Sequence, residues 1–324
     1  MENPIALSNY GSGNPIELGH GVWMIDLMEQ GLPCRSAAYL ILDKEVTLIE
    51  TGSAKSHDLL VEGMSRVGVM PKDLRNVIVT HVHLDHAGGA GQMMQQAVNA
   101  KLVVHPRGAR HMIDPSRLWA GATGVYGERI EALFGTMVPV PETSVLVRNH
   151  GETLNIGERT LTFFDSPGHA KHHFTILDPV SEALYAGDAL GIRYRKCFTG
   201  WDFEWVLPST SPIDFDPEAV HRTTAMLENV PFRYTYHTHF GASPKDESIV
   251  ATNRGADALA AFIHRVYQPG IHVDKVVSSL REFIVDHLTT SGLNPGTNME
   301  VLDIDVVLDA LGLMYYEEKL RENG

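Results

Sequence analysis

Residues 77–91, Val-Ile-Val-Thr-His-Val-His-Leu-Asp-His-Ala-Gly-Gly-Ala-Gly, restrict the fold more than any other stretch of the chain. His81, His83, Asp85 and His86 fall within six positions. Residues 77–80 are mostly β-branched and have polar bounds, which is the pattern of a buried strand. Side chains alternate along a strand, so positions 81, 83 and 85 share a side wherever extended geometry persists, and Leu84 turns to the core. Gly88-Gly89 breaks the strand, and a helix is expected over about 89–98. Imidazole and carboxylate suit a borderline divalent cation. Four such groups in so short a segment are better divided between two neighbouring ions, His81 and His83 on one, Asp85 and His86 on the other. The competing reading is a histidine-rich polar loop. The order strand, cluster, glycines, helix favours the metal site.

The remaining chain narrows the class. Its 324 residues are 44% hydrophobic, enough to bury a large core. Lys+Arg total 26 against 40 Asp+Glu, a net charge of -14. A nucleic-acid binder carries a basic stripe, and no basic run occurs here, so a nuclease is disfavoured. Cys34 and Cys197 lie far apart and suggest neither a disulfide framework nor a thiolate metal site. The start, Met-Glu-Asn-Pro-Ile-Ala-Leu-Ser, lacks the basic and apolar regions of an export signal. No run of about eighteen apolar residues occurs, so no membrane span is expected and the protein reads as cytoplasmic.

Residues 1–16 read as an irregular arm. Strands are expected over 21–27, 37–42 and 46–49, a helix from 56 or 58 to 66, and a further strand at 102–104. Residues 105–135 mix Trp119, Tyr126 and Phe134 with cations and glycines, and read as a helical cap or a plain surface insertion. Strands follow at 144–147, 153–156, 159–164, 173–177, 183–185 and 232–238. A long loop covers 199–217 and a helix 217–227. Beyond about 249 only helical spacing remains, over 251–267, 273–288 and 303–319. Strands in two sets with interspersed helices indicate a layered α/β catalytic domain over 1–245 and a helical C-terminal region over 246–324. The tail's apolar stripes need burial, over the rim of the site or in a homodimer.

Thr-His-Val-His-Leu-Asp-His-Ala-Gly-Gly resembles the His-x-His-x-Asp-His signature of the metallo-β-lactamase-fold superfamily. Three later stretches extend the resemblance: Ser166-Pro167-Gly168-His169, Tyr185-Ala186-Gly187-Asp188 and His237-Thr238-His239-Phe240-Gly241. The style of the chain, with its helical tail, is similar to a branch of generic bacterial hydrolases. The resemblance implies a four-layer αβ/βα sandwich of two mixed β-sheets flanked by helices. It implies His81, His83 and His169 on one metal, and Asp85, His86 and His239 on a second, with Asp188 shared. Phe240-Gly241 follows His239 as in the family, which leaves His237 as an outer or core histidine; His173 has a similar standing. The family's supporting aspartate is Glu50 here, in Glu50-Thr51-Gly52, a change of length without a change of charge.

The implied cofactors are two divalent ions, zinc first, with iron or manganese as other occupants. The implied chemistry is hydrolysis of a small ester, lactone, thioester or related electrophile by a metal-bridging hydroxide, with Asp85 and Asp188 as the catalytic carboxylates. Trp119, Arg193, Tyr194, Trp201 and Phe240 are candidates to contact a small-molecule substrate. The competing class is a di-iron redox protein of the same fold reducing oxygen or nitric oxide. Such proteins usually carry glutamate where this chain has His83, together with a flavin domain.

Overall fold

The computed structural model of the protein describes residues 3–5 and 9–323. Of the expected irregular arm, residues 1, 2 and 6–8 lie outside the described residues. Seven strands form the first sheet in chain order: β1 (Ile16–Gly19), β2 (Val22–Asp26), β3 (Ala37–Ile41), β4 (Thr47–Ile49), β5 (Asn76–Ile78), β6 (Lys101–Val104) and β7 (Val145–Val147). Neighbours are antiparallel from β1 to β4 and parallel from β4 to β7. The parallel pairs require crossovers. These are α1 (His57–Arg66), then α2 (Leu84–Ala87) with α3 (Ala90–Gln96), then α4 (Pro106–Ile113), α5 (Ser116–Tyr126) and α6 (Ile130–Phe134).

The second sheet contains β8 (Thr153–Asn155), β9 (Thr160–Asp165), β10 (Phe174–Asp178) and β11 (Ala183–Gly187). A small hairpin of β12 (Ile192–Tyr194) and β13 (Trp205–Leu207) follows, with α7 (Lys196–Thr199) between its strands. After α8 (Pro217–Glu228), β14 (Tyr234–His237) and β15 (Gly241–Pro244) complete the second sheet in the order β15-β14-β11-β10-β9-β8. Its β11–β14 pair is parallel and the others are antiparallel. The tail is α9 (Lys245–Val266), α10 (Val273–Thr290) and α11 (Asp303–Asn323).

Period-two alternation explains how the sheets stack. In β3, Ala37, Tyr39 and Ile41 face the core between the sheets, while Ala38 and Leu40 face the helices α1 and α3 to α6. In β11, Ala183 and Tyr185 enter the inter-sheet core and Leu184 and Ala186 face α8 and α9. With both faces covered, such strands read as apolar runs. Two mixed sheets flanked by helices are thus the observed architecture.

Several expectations are corrected. The strand before the histidines stops at Ile78 rather than reaching Thr80, and a helix starts at Leu84, so Asp85 and His86 sit on a helical turn. The 199–217 loop contains β13. Cys34 and Cys197 are joined in a disulfide, 163 residues apart, with Cα atoms 6.2 Å from each other. Spacing along the sequence carries no trace of that approach, and the bond corrects the expectation that these far-apart cysteines form no disulfide.

The tail's apolar stripes are buried within the chain. Val276, Leu280 and Ile284 of α10 and Val306, Ala310 and Leu313 of α11 pack with Tyr194, Trp201, Leu207 and Phe215. No second subunit is needed to cover them. Among the described residues, no helix is long and apolar enough to cross a membrane.

Candidate metal centre

The ligand candidates converge where strands of both sheets end. His81 and His83 follow β5, His169 follows β9, Asp188 follows β11 and His239 follows β14. His81 Nε2 lies 2.9 Å from His83 Nδ1. His169 Nε2 lies 3.0 Å from the same His83 atom. His169 Nδ1–H donates to the Ser209 carbonyl at 3.1 Å, which fixes the tautomer and leaves the Nε2 lone pair facing the cluster. Three imidazole nitrogens drawn to one point form a group that could hold a metal ion.

A second cluster adjoins it. His86 Nε2 and His239 Nε2 are 3.2 Å apart. Asp85 Oδ2 lies 3.4 Å from His239 Nε2. Asp188 connects the two clusters: Oδ1 is 3.3 Å from His86 Nε2 and Oδ2 is 3.5 Å from His169 Nε2. Asp188 Oδ1 is buried with only the His86 and His239 ring nitrogens near it, at 3.3 and 3.6 Å. A buried carboxylate oxygen left so is costly unless a cation neutralises it. The donor set therefore fits two adjacent divalent ions. Ligand atoms of His81, His83 and His169, of His81, His86 and Asp188, and of Asp85, His86 and His239 each lie within 4.8 Å of one another.

The two clusters differ electrostatically. Burial, reinforced by neighbouring imidazoles, holds His81 and His83 well below the usual histidine range. Burial also lowers His169, against the pull of Asp188. These three present neutral lone pairs. For His86 and His239 burial opposes protonation, but Asp188 and Asp85 outweigh it and raise both. Burial likewise disfavours the Asp85 and Asp188 carboxylates, yet His86 and His239 pull both below the ordinary carboxyl range.

Outer groups hold the ligands. Glu50 is fully buried; its Oε1 accepts from Thr80 N–H at 3.2 Å and its Oε2 lies 3.5 Å from His86 Nδ1. Thr51 donates to the His86 carbonyl through both N–H and Oγ1, each at 2.9 Å. His173 Nε2 accepts from Asp188 N–H at 3.2 Å. A Cβ on Gly187 (φ +50°) would stand 2.5 Å from both His173 Nε2 and Thr80 Oγ1, so only glycine lets β11 deliver Asp188 there. His237 turns away: Nδ1–H donates to the Gly191 carbonyl at 2.8 Å and Nε2 accepts from Ser243 Oγ at 2.9 Å. His239 Nδ1–H donates to the Arg35 carbonyl at 2.7 Å, with Ser36 Oγ at 3.0 Å. Arg35, Ser36 and Ser209 escaped the sequence reading, because two of them act through the backbone carbonyl that every residue has.

The residues offered as substrate contacts are already engaged. Arg193 pairs with Glu204 at 2.8 Å and Glu247 at 2.9 Å. Tyr194 Oη donates to Asp305, and Trp201 Nε1 donates to the Asn298 carbonyl. Phe240 is 1% exposed. Trp119 packs on the helix-facing core of the first sheet. Each of the five has a packing or pairing partner in the structure.

A pair of metal-ligating clusters at strand ends of a two-sheet α/β sandwich defines the class. Residues 31–239 match the metallo-beta-lactamase superfamily, more than half of the chain, and the protein belongs to that superfamily. A metallo-beta-lactamase family protein of Thermus thermophilus, TTHA1429, superposes with a TM-score of 0.67 at 19% identity, covering 95% of each chain. That likeness concerns the fold. Protein MJ0732 of Methanocaldococcus jannaschii is 25% identical over 187 residues, 54% of this chain and 42% of that protein, so the match spans under half of its length. A hydroxyacylglutathione hydrolase of Bradyrhizobium is 25% identical over 168 residues, 50% of this chain and 53% of that enzyme. A rubredoxin-oxygen oxidoreductase of Megalodesulfovibrio gigas is 28% identical over 129 residues, 40% of this chain and 26% of that enzyme.

Proposed function

We propose that the protein is a binuclear metal-dependent hydrolase of a small ester, lactone or thioester. The observation that carries this reading is Asp188, whose two oxygens face two different histidine clusters. His81, His83 and His169 would hold one ion and Asp85, His86 and His239 the other, with Asp188 between them. Two divalent ions there, zinc in the first instance, would supply an acidified water at neutral pH and polarise a carbonyl oxygen. The chain's own residues do the rest. Asp85, whose side chain is 33% exposed, is the more open of the two carboxylates. In this reading it would take the proton of the attacking water and return it to the leaving group. Asp188, buried, would join the two clusters and offset part of their positive charge. The relative named as a hydroxyacylglutathione hydrolase supports a hydrolytic reading.

The rubredoxin-oxygen oxidoreductase relative supports a di-iron reading as the alternative; the histidine at position 83 disfavours it. Metal analysis of protein purified without added metal separates the two. About two zinc ions per chain, with turnover of at least one thioester, lactone or aryl ester, is the expected result. Iron with oxygen consumption and no hydrolysis would overturn it, as would full hydrolysis by His81→Ala or Asp188→Ala. The Cys34–Cys197 disulfide weighs against a cytoplasmic location and for an oxidising compartment. A homodimer is tested by light scattering.

A further inference from the structure

Helix α11 begins more than sixty residues after the last ligand candidate, yet one of its faces reaches both metal clusters through a single intervening segment each. Asp305, Asp309 and Gly312 recur at four and three residues and so share that face.

Asp305 takes a forked pair from Arg35, Nη2 to Oδ1 at 2.6 Å and Nη1 to Oδ2 at 3.2 Å. Tyr194 Oη adds a third donor at 3.2 Å. Such bidentate pairing fixes orientation as well as distance. The carbonyl of this same Arg35 receives His239 Nδ1–H at 2.7 Å. Asp309 Oδ1 takes Thr210 N–H at 2.9 Å and Thr210 Oγ1 at 2.8 Å. The preceding residue, Ser209, offers its carbonyl to His169 Nδ1–H at 3.1 Å. Gly312 permits the contact: a Cβ there would stand 2.1 Å from the Thr210 carbonyl oxygen and 2.7 Å from that of Ser211. Backbone cannot give way as a flexible side chain can.

We infer that this face of α11 is a positioning element for the metal centre, with Asp309 setting the His169 ring through residues 209–210 and Asp305 setting the His239 ring through Arg35. One ligand of each cluster is held from the same helix. The inference rests on the two-metal reading above. The C-terminal region is then a working part of the site, and its two carboxylates are positioning residues rather than general packing.

The test measures zinc stoichiometry and affinity by chelator competition, independently of turnover. Asp305→Ala and Asp309→Ala should each weaken one of two zinc ions by about 10–100-fold, the range typical of outer partners of metal ligands, and the double variant should weaken both. Asp309→Asn should recover affinity, since its amide oxygen still accepts from Thr210. Leu313→Ala, on the same helix and fully buried in the tail's own core, should lower stability while leaving both affinities intact. If Asp309→Ala fails to fold, Thr210→Val removes the hydroxyl contact without altering the helix and should also weaken one ion. Folded aspartate variants that bind both ions as wild type would overturn the inference alone. Equal weakening in Leu313→Ala would overturn it too, by making the role merely structural. Wild-type protein that takes up no zinc would overturn this inference together with the hydrolase reading.

Discussion

Replacing Asp309 by asparagine should change how stability depends on pH, and the size follows from its surroundings. The carboxyl is 5% exposed, and burial pushes its pKa from the ordinary 3.8 up to about 7, although Thr210 donates to it. The folded protein therefore holds this proton more tightly than the unfolded chain does. Its contribution is fully present below about pH 4 and is lost as pH rises through about 7. That difference corresponds to about 4 kcal/mol, most of which falls between pH 5 and pH 8. Asparagine keeps an oxygen for Thr210 and has no charge to bury. Titrating groups remote from Asp309 act alike in both proteins and cancel in the comparison. Urea unfolding at pH 5 and pH 8 should show wild type losing about 2–3 kcal/mol more than Asp309→Asn over that interval. Parallel pH dependences in the two proteins would refute the assignment of a proton to Asp309 near neutrality.

Arg159 joins Asp43 at 3.0 Å and Asp178 at 2.6 Å, all three nearly buried. Arg159→Met should strand two carboxylates and cost about 3–5 kcal/mol; an unchanged urea midpoint would contradict this. Cys34 and Cys197 should resist thiol reagents until reduced, and the double serine variant should lose about 2–4 kcal/mol, while two freely titrating thiols in the native protein would count against the bond. Gly91→Ala places a Cβ 1.9 Å from the Val138 carbonyl oxygen, so α3 must move. A loss of more than about 1 kcal/mol in thermal or urea unfolding is expected, beyond the gain in helix propensity that alanine ordinarily brings.

What could be read from the sequence follows the range of the interactions. The two sheets were legible because strands such as β3 and β10 are apolar on both faces and bounded by turn residues. The hairpin of β12 and β13 was not, since each has three residues and the tryptophans and prolines of 199–217 read as loop. The candidate metal ligands stand out because histidine and aspartate crowd into short motifs just beyond strands β5, β9, β11 and β14. The partners of Arg193 and Tyr194 were not legible for the opposite reason. A cation and a phenol near a candidate ligand look available, and nothing local announces that Glu204, Glu247 and Asp305 already engage them. The Cys34–Cys197 bond and the reach of α11 depend on separations of 163 residues and about a hundred, respectively, and only the assembled fold brings them together.

The division of residues 81–86 between two clusters shows why the short motif works. Extended geometry through position 85 would have put Asp85 beside His81 and His83, three donors on one ion. Instead the chain leaves β5 after Ile78 and enters a helical turn at Leu84, with the His86 and Ala87 amides bonded back to the His83 carbonyl. That turn rotates Asp85 and His86 towards His239 while His81 and His83 stay towards His169. Glu50 and Thr51, from the neighbouring strand end, then hold His86 from behind. A six-residue segment can contribute to both clusters because its backbone changes conformation in the middle of its candidate ligands, and the surrounding contacts hold that change in place.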